Sequence, residues 1–406
     1  MGDFRRCARF LALVGMGFAV AACGVTAYQA SATIPSGHAQ TKSRTSAGAH
    51  AGPQTRGAAP APSKAPGATA SRSPARVASP PAATRGQLPT YGNPNGHSYV
   101  PPAGRAVSTA HPNHVIGHGT PASCTAAAVV RTVAKGGIIT FNCGPKPVTI
   151  TMTATAKIVH GRRIVIDGGG KVTLNGRGKI RILSMDTCKH CWEQAGPKLI
   201  VQNMRFVAGY SSAHQTSTSS DYGGGAIFDQ GGQLKVVNSA FIDNRCYKYG
   251  PDLGGGAIRA YGMDMKTPVY ITSDTFRGNK CSNGGALSGL YANFVVINSL
   301  FTANKAIGWG QNPKQPGTRG GGSGGAIYTD GDSYNLVLAG TLMHYNYARE
   351  GGGGIFCVVN NDHGTLTIKY STLHRNPSGQ FENAPGIFDS RNGHDVQPVV
   401  IHSTIN

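Results

Sequence analysis

Acidic residues are scarce in this 406-residue chain: 17 Asp and Glu stand against 38 Lys and Arg, a formal charge of +21. None occurs between Phe4 and Ile166, which excludes paired-carboxylate chemistry from that stretch. Long apolar runs are also missing. The best candidate, Phe10 to Ala22, is too short for a spanning helix. Aromatic residues make up only 7% of the chain, and from Ala30 to about Gly104 there is hardly one among Ala, Pro, Ser, Gly and Arg. Such a segment cannot bury enough surface to fold, so it reads as a disordered, flexible spacer.

What is present at the start is an address. Arg5, Arg6 and Arg9 precede the short apolar run, which fits a secretory signal. Val20-Ala21-Ala22-Cys23 resembles the lipobox of bacterial lipoproteins, which implies cleavage before Cys23 and lipid on its thiol. Ordinary signal cleavage beside an incidental cysteine is the alternative. Lipid chains would hold the protein on a membrane surface. The expected organisation is therefore a signal peptide at 1–22, a tether at 23–104 and a folded domain at 105–406. Seven cations and no acid lie between Cys23 and Gly104, so the tether should rest against anionic polymer or lipid. Arg105 to Ser220 holds 14 Lys and Arg against 3 acids, and Asp221 to Asn406 holds 14 against 13. Nucleic acid is not an expected partner: export removes the protein from it, and no nucleic-acid module is visible.

The second half repeats itself. Gly-Gly-Ala-Ile stands at Gly224 to Ile227, Gly255 to Ile258 and Gly324 to Ile327, with a Leu variant at Gly284 to Leu287 and weaker copies at Gly352 to Ile355 and Ala384 to Ile387. Phe-x-x-Asn follows at Phe241 to Asn244, Phe276 to Asn279 and Phe301 to Asn304, then degenerates at Met343 to Asn346 and Leu373 to Asn376. Repeats of this length with strand-like alternation imply a solenoid, because one repeat cannot bury its apolar face alone. β-Branched runs such as Leu234 to Val237, Val269 to Thr272 and Phe294 to Ile297 supply strands. Gly permits tight turns, Ile and Phe point inward, and Asn tolerates left-handed turns or forms a hydrogen-bonded ladder from coil to coil. Further strands are expected at Ile138 to Asn142, Val148 to Met152, Ile164 to Ile166, Val172 to Leu174, Ile180 to Leu183 and Leu199 to Val201. Roughly nine coils at about 4.8 Å each would span some 40 Å.

The combination resembles right-handed parallel β-helix proteins of the pectate lyase-like superfamily, and the paired signatures look like the repeats of chlamydial polymorphic outer membrane proteins. Ser123-Cys124-Thr125, Thr140 to Gly144 and Ile166 to Gly170 are similar to the opening of many bacterial secreted β-helix proteins. The resemblance covers about Thr120 to Asn406. It implies an all-β, single-stranded right-handed parallel β-helix with a short N-terminal cap helix near Ala122 to Lys135. It does not imply one activity, since that superfamily hosts lyases, hydrolases, adhesins and phage tail proteins.

An oxidising compartment turns attention to cysteine. Cys246 and Cys281 each lie two residues past a motif Asn, so stacking sets them side by side as a disulfide. Cys124 and Cys143 would pin the cap helix. Cys188-Lys189-His190-Cys191 reads as a small loop disulfide or a redox or zinc half-site. Cys357 is left over.

For chemistry, a pectate lyase-like site needs carboxylates that hold calcium against a uronate and an Arg or Lys that removes the α-proton. Asp221 and Asp252 each sit six residues before a motif Ile and should stack, making them candidate calcium ligands. Glu350 and Glu382 form a second such pair. Arg259 would face outward beside Asp252, which makes those two the catalytic candidates. The polygalacturonase pattern is absent apart from Gly117-His118-Gly119, which precedes the cap helix. Asp167 reads as a turn residue, and His111, His114 and His118 as solvated.

Binding has a broader basis. If the motif Ile points inward, the next residue points outward, so Phe228, Arg259, Ser288, Tyr328, Phe356 and Phe388 would line one face. Loops carrying His214, Trp309 and Arg319 would wall it. Aromatics with an occasional Arg suit sugar rings, although they could equally cover the face beneath those loops. The expected function is a lipid-anchored, exported surface protein that binds polysaccharide or cell-envelope polymer. A calcium-dependent lyase on an acidic glycan and a structural surface spacer are the alternatives.

Overall fold

The computed structural model describes residues 88, 90–159, 163–186, 193–211, 223–311 and 315–406. Contacts divide the chain at Ser36, and all described residues belong to the second unit. They are predominantly β, arranged in parallel sheets of seventeen, nine and five strands. No helix among them is long and apolar enough to cross a membrane.

The repeats that begin at Ile227, Ile258, Leu287 and Ile327 each contribute to all three sheets, whereas those at Ile355 and Ile387 add no strand to the smallest. The residues after Gly-Gly-Ala form a strand of the nine-stranded sheet, as at Ile258–Tyr261 and Leu287–Leu290. Val269–Thr272 and Thr275–Arg277 join the seventeen-stranded sheet, and Lys280–Cys281 joins the five-stranded one. Every such strand pairs in parallel with its counterpart in the neighbouring repeat, so Ile258 faces Ile227 and Leu287. Expected strands upstream appear at Gly137–Phe141, Val148–Thr151 and Lys198–Val207. The two expected near Ile164 and Val172 merge into Arg163–Asn175, whose register slips between Asp167 and Val172. This topology is compatible with a parallel β-helix.

The signatures fill distinct places. Phe206, Phe241, Phe276 and Phe301 point inward and stack at centroid spacings of 5.0, 4.9 and 4.7 Å. The motif Asn side chains form the expected ladder: Asn244 Nδ2 donates to Asn279 Oδ1 (3.0 Å), Asn279 to Asn304 (2.9 Å), Asn304 to Asn346 (2.8 Å) and Asn346 to Asn376 (2.9 Å). Left-handed backbone falls on the preceding residue instead, at Asp243, Ala303, Tyr345 and Arg375. The Asn is thus released from the turn and committed to its neighbours. Two residues before each motif Phe or its equivalent, a second ladder runs through Ser239, Asp274, Ser299, Thr341 and Ser371, each buried; Ser239 N–H donates to Asp274 and Asp274 N–H to Ser299. Within the glycine pairs, Gly284 is left-handed at φ 50°, and a Cβ on Gly285 would meet the Gly325 carbonyl oxygen at 2.2 Å. The first glycine makes the turn and the second admits the next repeat.

The helix runs Ala126–Lys135, with the Thr125 side chain accepting from Ala128 N–H at 3.2 Å. Val129 and Val133 are fully buried in the core. Cys124 is bonded to Cys143 and Cys246 to Cys281, as expected. Cys188 and Cys191 lie outside the described residues. Cys357 is a buried free thiol whose pKa is pushed up to about 12, chiefly by burial, which makes it inert.

One boundary is corrected. Tyr91 to Gly104 falls within the expected disordered tether, yet this stretch is bonded to the long sheet. Tyr91 N–H donates to Asn238, Asn93 N–H to the Asn298 carbonyl, and Ser98 N–H to Asn298 Oδ1. Val107 and Gln202 then exchange two hydrogen bonds of 2.9 Å. Polar side chains of the repeats satisfy the strap's backbone, which composition alone does not reveal. Asp167 belongs to the same contact: it accepts from Thr109 Oγ1 and from Gly169 N–H, so its role is structural.

Candidate functional site

The outer face of the nine-stranded sheet has the expected register but not the expected exposure. Arg259 lies beside Phe228 and Ser288, Ser288 beside Tyr328, and Phe356 beside Tyr328 and Phe388. Phe228, Arg259, Tyr328 and Phe356 are nevertheless only 3%, 0%, 5% and 4% exposed. Tyr328, Phe356 and Phe388 stack at 5.1 Å intervals, and Phe381 packs edge-on against Phe356 at 6.3 Å. At the other end Arg181 covers the Phe228 ring at 4.8 Å and donates to Ser211 and to the Gly223 carbonyl. Segments entering the strands therefore close over these side chains, which corrects the expectation of an open sugar track.

Arg259 illustrates the chemistry of closure. Its Nη1 donates to Ser288 Oγ at 2.5 Å and its Nη2 to the Asp252 carbonyl at 2.8 Å. Burial pushes its pKa down while Asp252, Tyr328, Tyr261 and Asp330 oppose that shift. The Asp252 carboxyl is pushed up by burial and pulled back by Arg259. Asp330, partly exposed, accepts from the Tyr328 hydroxyl at 3.1 Å, and burial together with Asp252 raises its pKa to about 6. A guanidinium held by two hydrogen bonds under a closed face cannot reach a substrate's α-proton. The outward, solvent-facing position expected for Arg259 is thus overturned.

The proposed calcium partner Asp221 lies outside the described residues, as does His214. Among the described residues no group of three or more His, Cys, Asp or Glu is arranged to hold a metal. The Glu350 and Glu382 pair does not form. Gly351 aligns with Phe381, and Gln380 N–H donates to the Glu350 carbonyl, so Glu382 falls two positions out of register. A tight turn, with Ala384 paired antiparallel to Ile387, accommodates the extra residues. Glu350 is fully buried and its carboxylate accepts from Gly310 N–H and, at 3.0 Å, from Gln311 N–H. It anchors the loop that carries Trp309 and Arg319.

That loop stands beside the five-stranded sheet. Trp309 bridges Gly320 antiparallel and lies under Arg349 at 4.4 Å. Arg319 is exposed, donates to the Tyr247 hydroxyl at 3.2 Å and lies 5.8 Å from the Tyr249 ring centroid. These two expected ligand-binding residues remain at an accessible rim, separated in register from the closed aromatic column.

Two exposed aromatic groups among the described residues lie outside the expected sites. Tyr345 and Tyr370 are 48% and 59% exposed. Tyr345 lies 4.8 Å from the His344 ring, His344 lies 5.3 Å from His374, and Arg375 Nη1 donates to the Tyr345 hydroxyl at 2.9 Å. Tyr370 stacks on His402 at 5.5 Å. Tyr345 and Tyr370 adopt φ of 56° and 50°, uncommon for bulky residues, and both precede ladder residues. The signal was in the degenerate copies: His344-Tyr345 and His374-Arg375 occupy the two variable positions of Phe-x-x-Asn. No family model, curated protein or solved structure matches the chain.

Proposed function

We propose that this chain is a surface-displayed polysaccharide-binding module: a right-handed parallel β-helix, begun by the Ala126–Lys135 helix and joined by its spacer to a lipid anchor at Cys23. The repeated parallel register supports the architecture. The basic start, short apolar run and Val20-Ala21-Ala22-Cys23 support the export and anchor. The observation that carries binding is a pair of exposed aromatic platforms, Tyr345 with His344 and His374, and Tyr370 with His402. Rings held in the turns and on the short strands of the repeats offer apolar faces to sugars, while Arg375 and the imidazoles offer hydrogen bonds to hydroxyls. Binding is favoured over lyase chemistry because Arg259 is enclosed.

The test is retention of the full chain on immobilised neutral and acidic polysaccharides, with unsaturated-uronate absorbance followed in the same samples. Retention without absorbance is expected. Tyr345→Ala with Tyr370→Ala should weaken retention roughly tenfold at unchanged melting temperature. Retention that ignores the double substitution would sink the platform, and calcium-dependent absorbance would restore the lyase reading.

A further inference from the structure

The five-stranded sheet carries a feature that the repeats do not require. Arg245 faces Lys280 and Lys280 faces Lys305 in parallel register, with Tyr210 beside Arg245 and Tyr347 beside Lys305. The three cations are exposed. Their rungs are one strand apart, and the adjacent Cys246 and Cys281 Cα atoms are 4.8 Å from each other. None of the three makes an ion pair within 4 Å with a described residue. Asp243 is the acid in the adjoining turn, and its carboxylate lies against Gly278. Like charges placed opposite one another across strands destabilise a sheet.

The surroundings reinforce the charge. Tyr210, Arg245, Tyr247, Lys248, Lys280 and Ile307 line a hollow of about 400 Å3. Arg319 reaches Tyr247 at its rim. The corresponding half of the sequence is nearly balanced in charge, but Asp229, Asp274, Glu350 and Asp389 are fully buried. Those four acids lie inside, whereas Arg245, Lys280 and Lys305 face out. An electropositive hollow with low-dielectric walls concentrates anions.

We infer that this column is a binding track for a carboxylated polysaccharide, extending the polysaccharide reading above to a second, charge-selective site. A linear polyuronate presents carboxylates in regular succession, and consecutive rungs present cations in regular succession. Tyr210 and Tyr347 bracket the column in the same register, so sugar rings find aromatic faces at both ends while Arg245, Lys280 and Lys305 meet carboxylates. A single-stranded nucleic acid could use the same cations and rings; the polysaccharide reading above favours the sugar polymer, and DNA binding is the competing outcome of the test.

The experiment titrates the full chain with polygalacturonate, a neutral glucan and single-stranded DNA at low and raised salt, beside Lys280→Gln/Lys305→Gln and a control with Lys135→Gln/Lys157→Gln. Polygalacturonate should bind in a salt-sensitive manner, weaken roughly tenfold in the track variant and hold in the control. Thermal unfolding is measured in parallel, and Lys280→Arg/Lys305→Arg should bind like the native chain. Equal weakening in the control would mean diffuse attraction and overturn the track. Equally tight, lysine-dependent DNA binding would overturn the assignment to carboxylated sugar, and so would absence of polygalacturonate binding. The tyrosine platform fails separately, through neutral-glycan retention and the Tyr345/Tyr370 pair.

Discussion

Two faces of this protein are built from the same residue types and end in opposite states. On the nine-stranded sheet, Arg259, Tyr328 and Phe356 stand in register and are closed over by neighbouring segments. On the five-stranded sheet, Arg245, Lys280, Lys305 and Tyr347 also stand in register and remain exposed. Strand alternation determines on which side a residue leaves the sheet, whereas the connecting segments determine whether it reaches water. On the closed face an aromatic stabilises the fold, and on the open face it is available to a ligand.

The sharpest way to break this comparison is one truncation on each face. Phe356→Ala removes a ring packed by Tyr328, Phe381 and Phe388 and should cost about 4 kcal/mol. Tyr345→Ala on the exposed platform should change stability by less than about 0.5 kcal/mol. Denaturant unfolding of the two variants checks both, and comparable losses would erase the distinction between faces. The disulfide comes next. The strands carrying Cys246 and Cys281 are two residues long, and the bond between them spans 35 residues of sequence. Cys246→Ser with Cys281→Ser should cost about 3 kcal/mol by restoring freedom to the unfolded chain. It should also weaken polygalacturonate binding, which Phe356→Ala should leave in place while the protein is folded. A smaller effect is expected inside. Asn304→Ala removes donors to the Phe276 carbonyl and to Asn346 and should cost about 2 kcal/mol, read by the same unfolding measurement.

How much of this was legible follows from the range over which each feature acts. The Phe stack, the Asn ladder and the Cys246–Cys281 bond depend only on residues that align between consecutive repeats, and spacing reveals them. Burial of Arg259 depends on what the loops do, and loops have no fixed period. The Glu350 pairing failed because extra residues before Ile387 shift one repeat, leaving Glu350 aligned with Gln380. The strap from Tyr91 was hidden because Asn238, Asn298 and Gln202 satisfy its backbone across 95 or more positions of sequence. The basic track was masked by averaging: a near-neutral half looks bland until Asp229, Asp274, Glu350 and Asp389 are found in the core.

Those inward acids set the last prediction, which separates the closed interior from the open surface by pH. Burial leaves both oxygens of Asp229 without a hydrogen-bond partner in the protein and pushes its carboxyl well up. Burial likewise raises Asp330 and Asp389 to about 6, with Asp252 adding to the rise at Asp330 and Arg391 opposing it at Asp389. The folded protein therefore holds these protons more tightly than the unfolded chain does. Their contribution to stability is complete below the unfolded carboxyl pKa of about 4 and is lost as pH rises through about 6. A decline on the order of 1 kcal/mol is expected across that window, with Asp229 extending it toward higher pH. Asp330→Asn should flatten the decline between about pH 4 and 6, and Asp229→Asn should raise stability most in alkaline buffer. Lys280→Gln, on the open face, should leave the pH profile unchanged. Stability that climbed with pH over this range would show that the buried carboxyls are ionised and balanced by cations, and the reading of these acids as proton-holding in the fold would fall.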